Sequence, residues 1–107
     1  MGMVAITLKL QNNVLGPAQT RALRVISDSF GAWDYEHSAV MHQSKATPML
    51  WALPLQLPRG ALQFAYKYAA VDTNGLVWEE AGVRVVSVQA LAMSGGVQQD
   101  VIDRTML

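Results

Sequence analysis

The chain has 107 residues, of which 51% are hydrophobic and 15% charged; its formal net charge is zero and it contains no cysteine. This is the length of one domain able to bury a core of its own, with a globular composition and not a disordered one. The charge balance argues against a nucleic-acid binder held by phosphate neutralisation and against a polybasic membrane-surface module. The missing cysteines exclude disulfides and thiolate metal sites.

The first segment, Val4 to Leu10, alternates. Val4, Ile6, Leu8 and Leu10 fall on one side, Ala5, Thr7 and Lys9 on the other, which predicts a half-buried strand. Residues 11–20 are rich in turn formers and read as a loop. Residues 21–27 form a second strand with Leu23 and Val25 on one face, and residues 28–38 set aromatics among Gly, Asp and Ser in an irregular loop. Residues 39–41 are a short strand, and 43–48 another loop. Trp51, Leu53, Leu55 and Leu57 then alternate with Ala52, Pro54 and Gln56. Pro54 cannot donate to a ladder, so this strand is expected at an edge or at a bulge.

After the turn at 58–60, Leu62, Phe64, Tyr66 and Tyr68 share one face, with Gln63, Ala65 and Lys67 on the other. Asp72-Thr73-Asn74-Gly75 reads as a hairpin turn, with Asn-Gly supplying positive φ angles. Residues 76–80 and 83–88 complete the strands. About seven short strands at regular spacing predict an all-β fold, an antiparallel sandwich or barrel. Beyond Val88 the pattern changes: Val97, Val101 and Ile102 stand at helical spacing after a Gly-Gly break. The expected organisation is a β-domain over residues 1–88 and a C-terminal tail over 89–107, read as a short helix or as a linker to a further domain.

No apolar run approaches the ~20 residues of a membrane span, and the first residues lack the basic and apolar segments of a secretory signal. With the missing cysteines, this favours an intracellular setting. No serine sits in a nucleophile elbow. Asp72, Glu79 and Glu80 resemble a glycosidase pair less than exposed carboxylates at strand ends. His37 and His42 are five apart with Glu36 nearby, short of the ligand set a metal needs, so solvent-exposed loop histidines are expected and no metal or other cofactor.

The aromatic residues say more. Phe30, Phe64 and Tyr66 suit a core. Trp33 lies in a loop between Gly31 and Asp34, and Trp78 sits between an Asn-Gly turn and two acids. A flat ring at a surface with polar groups beside it is what a pyranose needs, because the sugar has an apolar C–H face and a rim of hydroxyls.

The run Phe30 to Asp34, then Trp51 ahead of the Leu-Pro-Arg-Gly turn, then residues 64–80 ending in Arg84, resembles carbohydrate-binding module family 20, the starch-binding domain. The resemblance covers residues 4 to 88. It implies an antiparallel β-sandwich of immunoglobulin-like shape that binds α-1,4-glucan (starch, glycogen or maltooligosaccharide) without catalysis, and that is attached to a catalytic domain. It implies a first site with Trp33 and Trp78 side by side, Lys67 donating to sugar hydroxyls, and Glu79 and Asn74 at the rim. Trp51 matches a tryptophan of the family's second site. The family's Asn before Arg84 is Val83 here, and the second-site tyrosines have no counterpart. These departures motivate an alternative, a sandwich module that has lost sugar affinity and binds a protein partner.

Overall fold

The structure is a computed structural model that describes residues 2–12, 15–28, 33–93 and 98–103. Two sheets face each other. In one, the order is β4-β5-β1-β9, built from β1 (Met3–Gln11), β4 (His42–Gln43), β5 (Leu50–Pro58) and β9 (Gln98–Asp103). The other contains β2 (Thr20–Ser27), β3 (Ala39–Val40), β6 (Gln63–Asp72), β7 (Val77–Glu79) and β8 (Arg84–Ser87). Strand β6 is the spine of this second sheet. It pairs with β2 along one edge, while β7 and β8 share its other edge in succession, at residues 69–71 and 63–66.

The alternation seen in the sequence becomes the core. Val4, Ile6, Leu8 and Leu10 of β1 and Trp51, Leu53 and Leu57 of β5 meet Leu23, Val25, Phe64, Tyr66, Tyr68 and Ala70 of the opposite sheet. Each aliphatic side chain buried in this way stabilises the fold by roughly 1.5–3 kcal/mol. Phe64 stacks on Tyr66 at 5.2 Å, and Tyr66 meets Tyr68 edge to face at 5.6 Å. Leu62, expected on this face, precedes the strand and is 78% exposed. Phe30, expected in the core, lies outside the described residues.

Pro54 sits as its chemistry requires. It is opposite Thr7 of β1, and β4 covers β5 only at Trp51 and Ala52, so from Leu53 onward the outer edge of β5 is open. The turn after β6 is a three-residue loop and not the two-residue one expected. The Gly75 amide donates to the Asp72 carbonyl at 3.0 Å, and Gly75 alone takes a positive φ, +85°. This is the form in which a left-handed glycine follows an ordinary turn, so Asn74 has no need of the left-handed region.

The described residues beyond Val88 continue against the sandwich. Helix α1 (Val88–Met93) is followed by β9, which runs parallel to β1 from Ala5↔Gln98 to Leu10↔Asp103. Val101 and Ile102, read from their spacing as helical, therefore lie in a strand; Val97 lies outside the described residues. The spacing was too short to fix the period, and pairing with β1 decided the conformation.

A polar network joins the sheets inside this frame. Asp103 of β9 accepts through Oδ2 from the hydroxyls of Tyr66 (2.8 Å) and Tyr68 (2.7 Å), both on β6. Arg84 Nη1 donates to Asp103 Oδ1 at 3.3 Å, and its Nε and Nη2 fork onto Glu80 at 3.1 and 2.8 Å. Glu80 Oε1 also accepts from the Tyr68 amide at 3.0 Å. Glu80 is thus 8% exposed, a correction to its reading as a solvated strand-end acid. Its negative charge can be buried because a guanidinium and an amide meet it. Replacing Glu80 by alanine should lower the unfolding free energy by about 1–3 kcal/mol, because it takes the forked partner from Arg84 and leaves the buried Tyr68 amide without its acceptor. Urea denaturation would measure this, and a loss within error of zero would refute it.

Candidate functional site

Trp33 opens the site. Its amide donates to the Ser27 carbonyl at 3.2 Å, which folds the chain back over the end of β2. Its φ of +68° is unusual for a bulky residue, and such backbone strain persists only where the surroundings enforce it. The indole is 37% exposed and walls a hollow of about 310 Å³ with Ser27, Asp28, Gln63 and Ala65. Next to it, Asp34 caps a single helical turn at Tyr35–His37, accepting from the Glu36 amide at 3.1 Å and contacting His37 Nδ1 at 2.8 Å. The His37 contact first, and the Glu36 amide second, hold the Asp34 carboxyl below its ordinary value.

Trp78 comes from β7. Its indole is 44% exposed, and Nε1 donates to Asp72 Oδ2 at 3.4 Å. Asp72 organises the whole hairpin end. Its other oxygen accepts from the amides of Asn74 and Leu76, both at 2.9 Å. The Leu76 amide foremost, with the Trp78 indole and the Asn74 amide behind it, lowers the carboxyl below its ordinary 3.8. Asn74 stands at the exposed tip, and its carboxamide has no partner among the described residues.

Lys67 lies on the outward row of β6 and forms an ion pair with Glu79. The register explains how they meet. Glu79 is opposite Ala69, which shares the outward row with Lys67, whereas Trp78 is opposite Ala70, in the core row. Neighbouring positions on a strand point to opposite faces, so Trp78 and Glu79 leave β7 on different sides. The indole stays exposed because β7 is an edge strand at the end of the sheet.

The structure therefore gathers Lys67 with Glu79, and Trp78 with Asn74 through Asp72. Trp33 stands over the outward row farther along β6, and among the described residues no ring contact joins it to Trp78. Trp51 joins neither group. At 5% exposure it packs in the core and offers no face to a ligand, and its Nε1 is buried without a hydrogen-bond partner. Val83 and Val85 flank Arg84 and are both exposed. His37 and His42 are also exposed, and among the described residues no three metal-ligating side chains cluster.

Sequence reasoning missed one residue that organises the site, Asp72, and one that is stacked on an arginine outside it, Tyr35. Asp72 had a signal: an Asp opening a turn commonly bonds backbone amides two residues on. Tyr35 had none, because its cation–π partner Arg24 comes from another strand, 5.0 Å away.

A two-sheet sandwich with two exposed indoles and a polar rim defines a class, the β-sandwich binding modules. Within that class the match is specific. A family model described as the starch binding domain matches residues 4–96, and the chain belongs to that family. This makes it a starch-binding domain, a binding unit and not a catalyst. No curated protein matches the chain. Among solved structures it is similar to a γ-CGTase from alkalophilic Bacillus clarkii, with TM-score 0.70 and 16% identity over 97% of this chain and 15% of that one. It is also similar to a glycoside hydrolase family 15 glucoamylase from Hypocrea jecorina, with TM-score 0.68 and 21% identity over 98% of this chain and 17% of that one. The chain thus spans a small fraction of each enzyme, and at these identities the likeness is one of fold.

The depressed carboxyl of Asp72 gives a pH test. A lowered value means that the contribution of the ionised form is fully present above the ordinary 3.8 and is lost only as pH falls through the lower folded value. Trp78 emission should therefore stay constant from pH 7 to pH 4 and change below that. A midpoint above 4 in the fluorescence titration would count against the ordered turn.

Proposed function

We propose that the domain binds α-1,4-glucan by stacking glucose rings on Trp33 and Trp78, and so brings an attached catalytic domain to the polysaccharide. The observation that carries this reading is the pair of indoles, each more than a third exposed, on a domain that buries Trp51, Phe64, Tyr66 and Tyr68. Each ring would cover about 50–100 Å² of sugar, worth about 1–3 kcal/mol. A few hydrogen bonds of about 1 kcal/mol each add to this. After the loss of translational freedom the expected dissociation constant is micromolar to millimolar.

Lys67 and Glu79 serve the rim. They already satisfy each other, so a sugar hydroxyl enters by accepting from the ammonium and donating to the carboxylate at once. Asn74 reaches from the tip of the turn. The attachment is supported by the neighbours, in which the matching unit is 15–17% of a longer enzyme.

A second reading has its own observation. Val83, just before β8, and Val85, on it, are both exposed, and Val85 lies opposite Ala65 on the face that carries Lys67. An apolar strip on an edge strand suits a protein partner better than a sugar rim.

A pull-down on insoluble starch, with β-cyclodextrin as competitor, separates the two. The first reading expects retention that the competitor releases, and at least a tenfold loss of affinity in Trp78→Ala with its melting temperature kept within a few degrees. A folded domain that gives a flat β-cyclodextrin titration by tryptophan fluorescence would favour the protein partner.

A further inference from the structure

The outward face of the five-stranded sheet carries a groove that none of the residues in the candidate site uses. It has a volume of about 500 Å³ and lies between β2, the end of β6, β7 and the helical turn at 35–37. Ligand sites fall in this size range, about 300–1,000 Å³. Its floor is apolar. Val71 and Val77 are directly opposite each other, and Val77 is exposed to water. One wall is the Tyr35 ring, braced by the Arg24 guanidinium at 5.0 Å from its centroid.

The rim is polar and largely unused. Arg24 donates one bond, Nη2 to the Ser38 carbonyl at 3.3 Å, while its Nε is buried without a partner. Arg21 and Glu36 also line the groove. Among the described residues neither arginine has a carboxylate partner, and the Glu36 carboxylate has no ion-pair partner. An apolar floor, a braced aromatic wall, idle donors and one idle acceptor are the complement of a sugar.

We infer that this groove is a second glucan subsite, which takes the α-1,4-linked chain onward from the Lys67–Glu79 pair. The inference rests on the reading that the domain binds α-glucan. A neutral ligand fits better than an anion, because Glu36 offsets one guanidinium and an anion would leave the valine floor uncovered. Continuity supports a single chain. Lys67, Ala69 and Val71 occupy successive places in one outward row, so the pair and the floor are about 13 Å apart at ~3.3 Å per residue. Ala69 has Arg24 on one side and Glu79 on the other. An oligosaccharide spanning both places gains by effective concentration, and a disaccharide does not.

The test is a ¹⁵N chemical-shift titration of the 107-residue chain with maltose and with maltoheptaose. Maltoheptaose should shift the amides of Tyr35, Glu36, Gly75 and Val77 as well as the Trp33 and Trp78 indoles, and should bind about tenfold more tightly than maltose. Tyr35→Ala should abolish the groove shifts and the gain with chain length, leaving the indole shifts and maltose affinity in place. Tyr35→Phe keeps the ring and should keep both. If Tyr35→Ala does not fold, Arg21→Gln on the exposed rim should lower the maltoheptaose gain in the same way. Maltoheptaose shifts confined to the indoles would overturn the subsite, as would groove shifts produced by inorganic phosphate but not by maltoheptaose. The absence of any sugar-induced shift is a separate result, and it would overturn the glucan reading itself together with this inference.

Discussion

Asp103 Oδ2 receives the hydroxyls of Tyr66 and Tyr68 across the interior, and most of this molecule's geometry depends on that junction. The tyrosines belong to one sheet and the aspartate to the other, so the contact fixes where the sheets lie against each other. Burial first, and the neighbouring carboxylate second, raise both phenols well above their ordinary value. They therefore remain protonated and able to donate. Arg84 balances the buried negative charge, lies over the Tyr68 ring at 5.4 Å, and hands the connection on to Glu80. Hydrogen bonding to Glu80 keeps its guanidinium firmly charged.

Glu80 carries that rigidity to the surface. It immediately follows Glu79 and Trp78, and its backbone amide donates to the Tyr68 carbonyl while its side chain accepts from the Tyr68 amide. The short strand β7 is thereby pinned at its C-terminal end. At the other end Asp72 gathers two amides and the Trp78 indole. An exposed ring held at both ends of a three-residue strand has little freedom left to lose, which would favour the stacking proposed for it.

The parts of the fold legible in the sequence were those written as alternation. β1, β5 and β6 each set one apolar row against the core, and a period of two is visible from any one strand alone. The family pattern likewise marked Trp33, Trp78, Lys67 and Glu79 because it orders residues along the chain. What escaped was long-range. Glu80 and Arg84 have the spacing of a helical pair, and only the position of Asp103 explains why the acid is buried. The parallel pairing of β9 with β1 joins residues some ninety positions apart, and no local signal announces it. The family pattern matched Trp51 to a second site while the alternation of β5 set it in a row with Leu53 and Leu57, and only the packing of the two sheets decides for the core. The Arg24–Tyr35 stack needs two strands and a loop to be placed before it exists.

The open edge of β5 has one more consequence. Leu50 faces outward from β1, since its carbonyl accepts from the Ser44 amide. Residues at even intervals along a strand present their amides to the same side, so positions 54, 56 and 58 face the uncovered edge. Two of these are prolines, and only Gln56 has a hydrogen to give. A foreign strand arriving there finds almost nothing to pair with. Copies brought together by a shared ligand would therefore not zip into a common sheet along this edge.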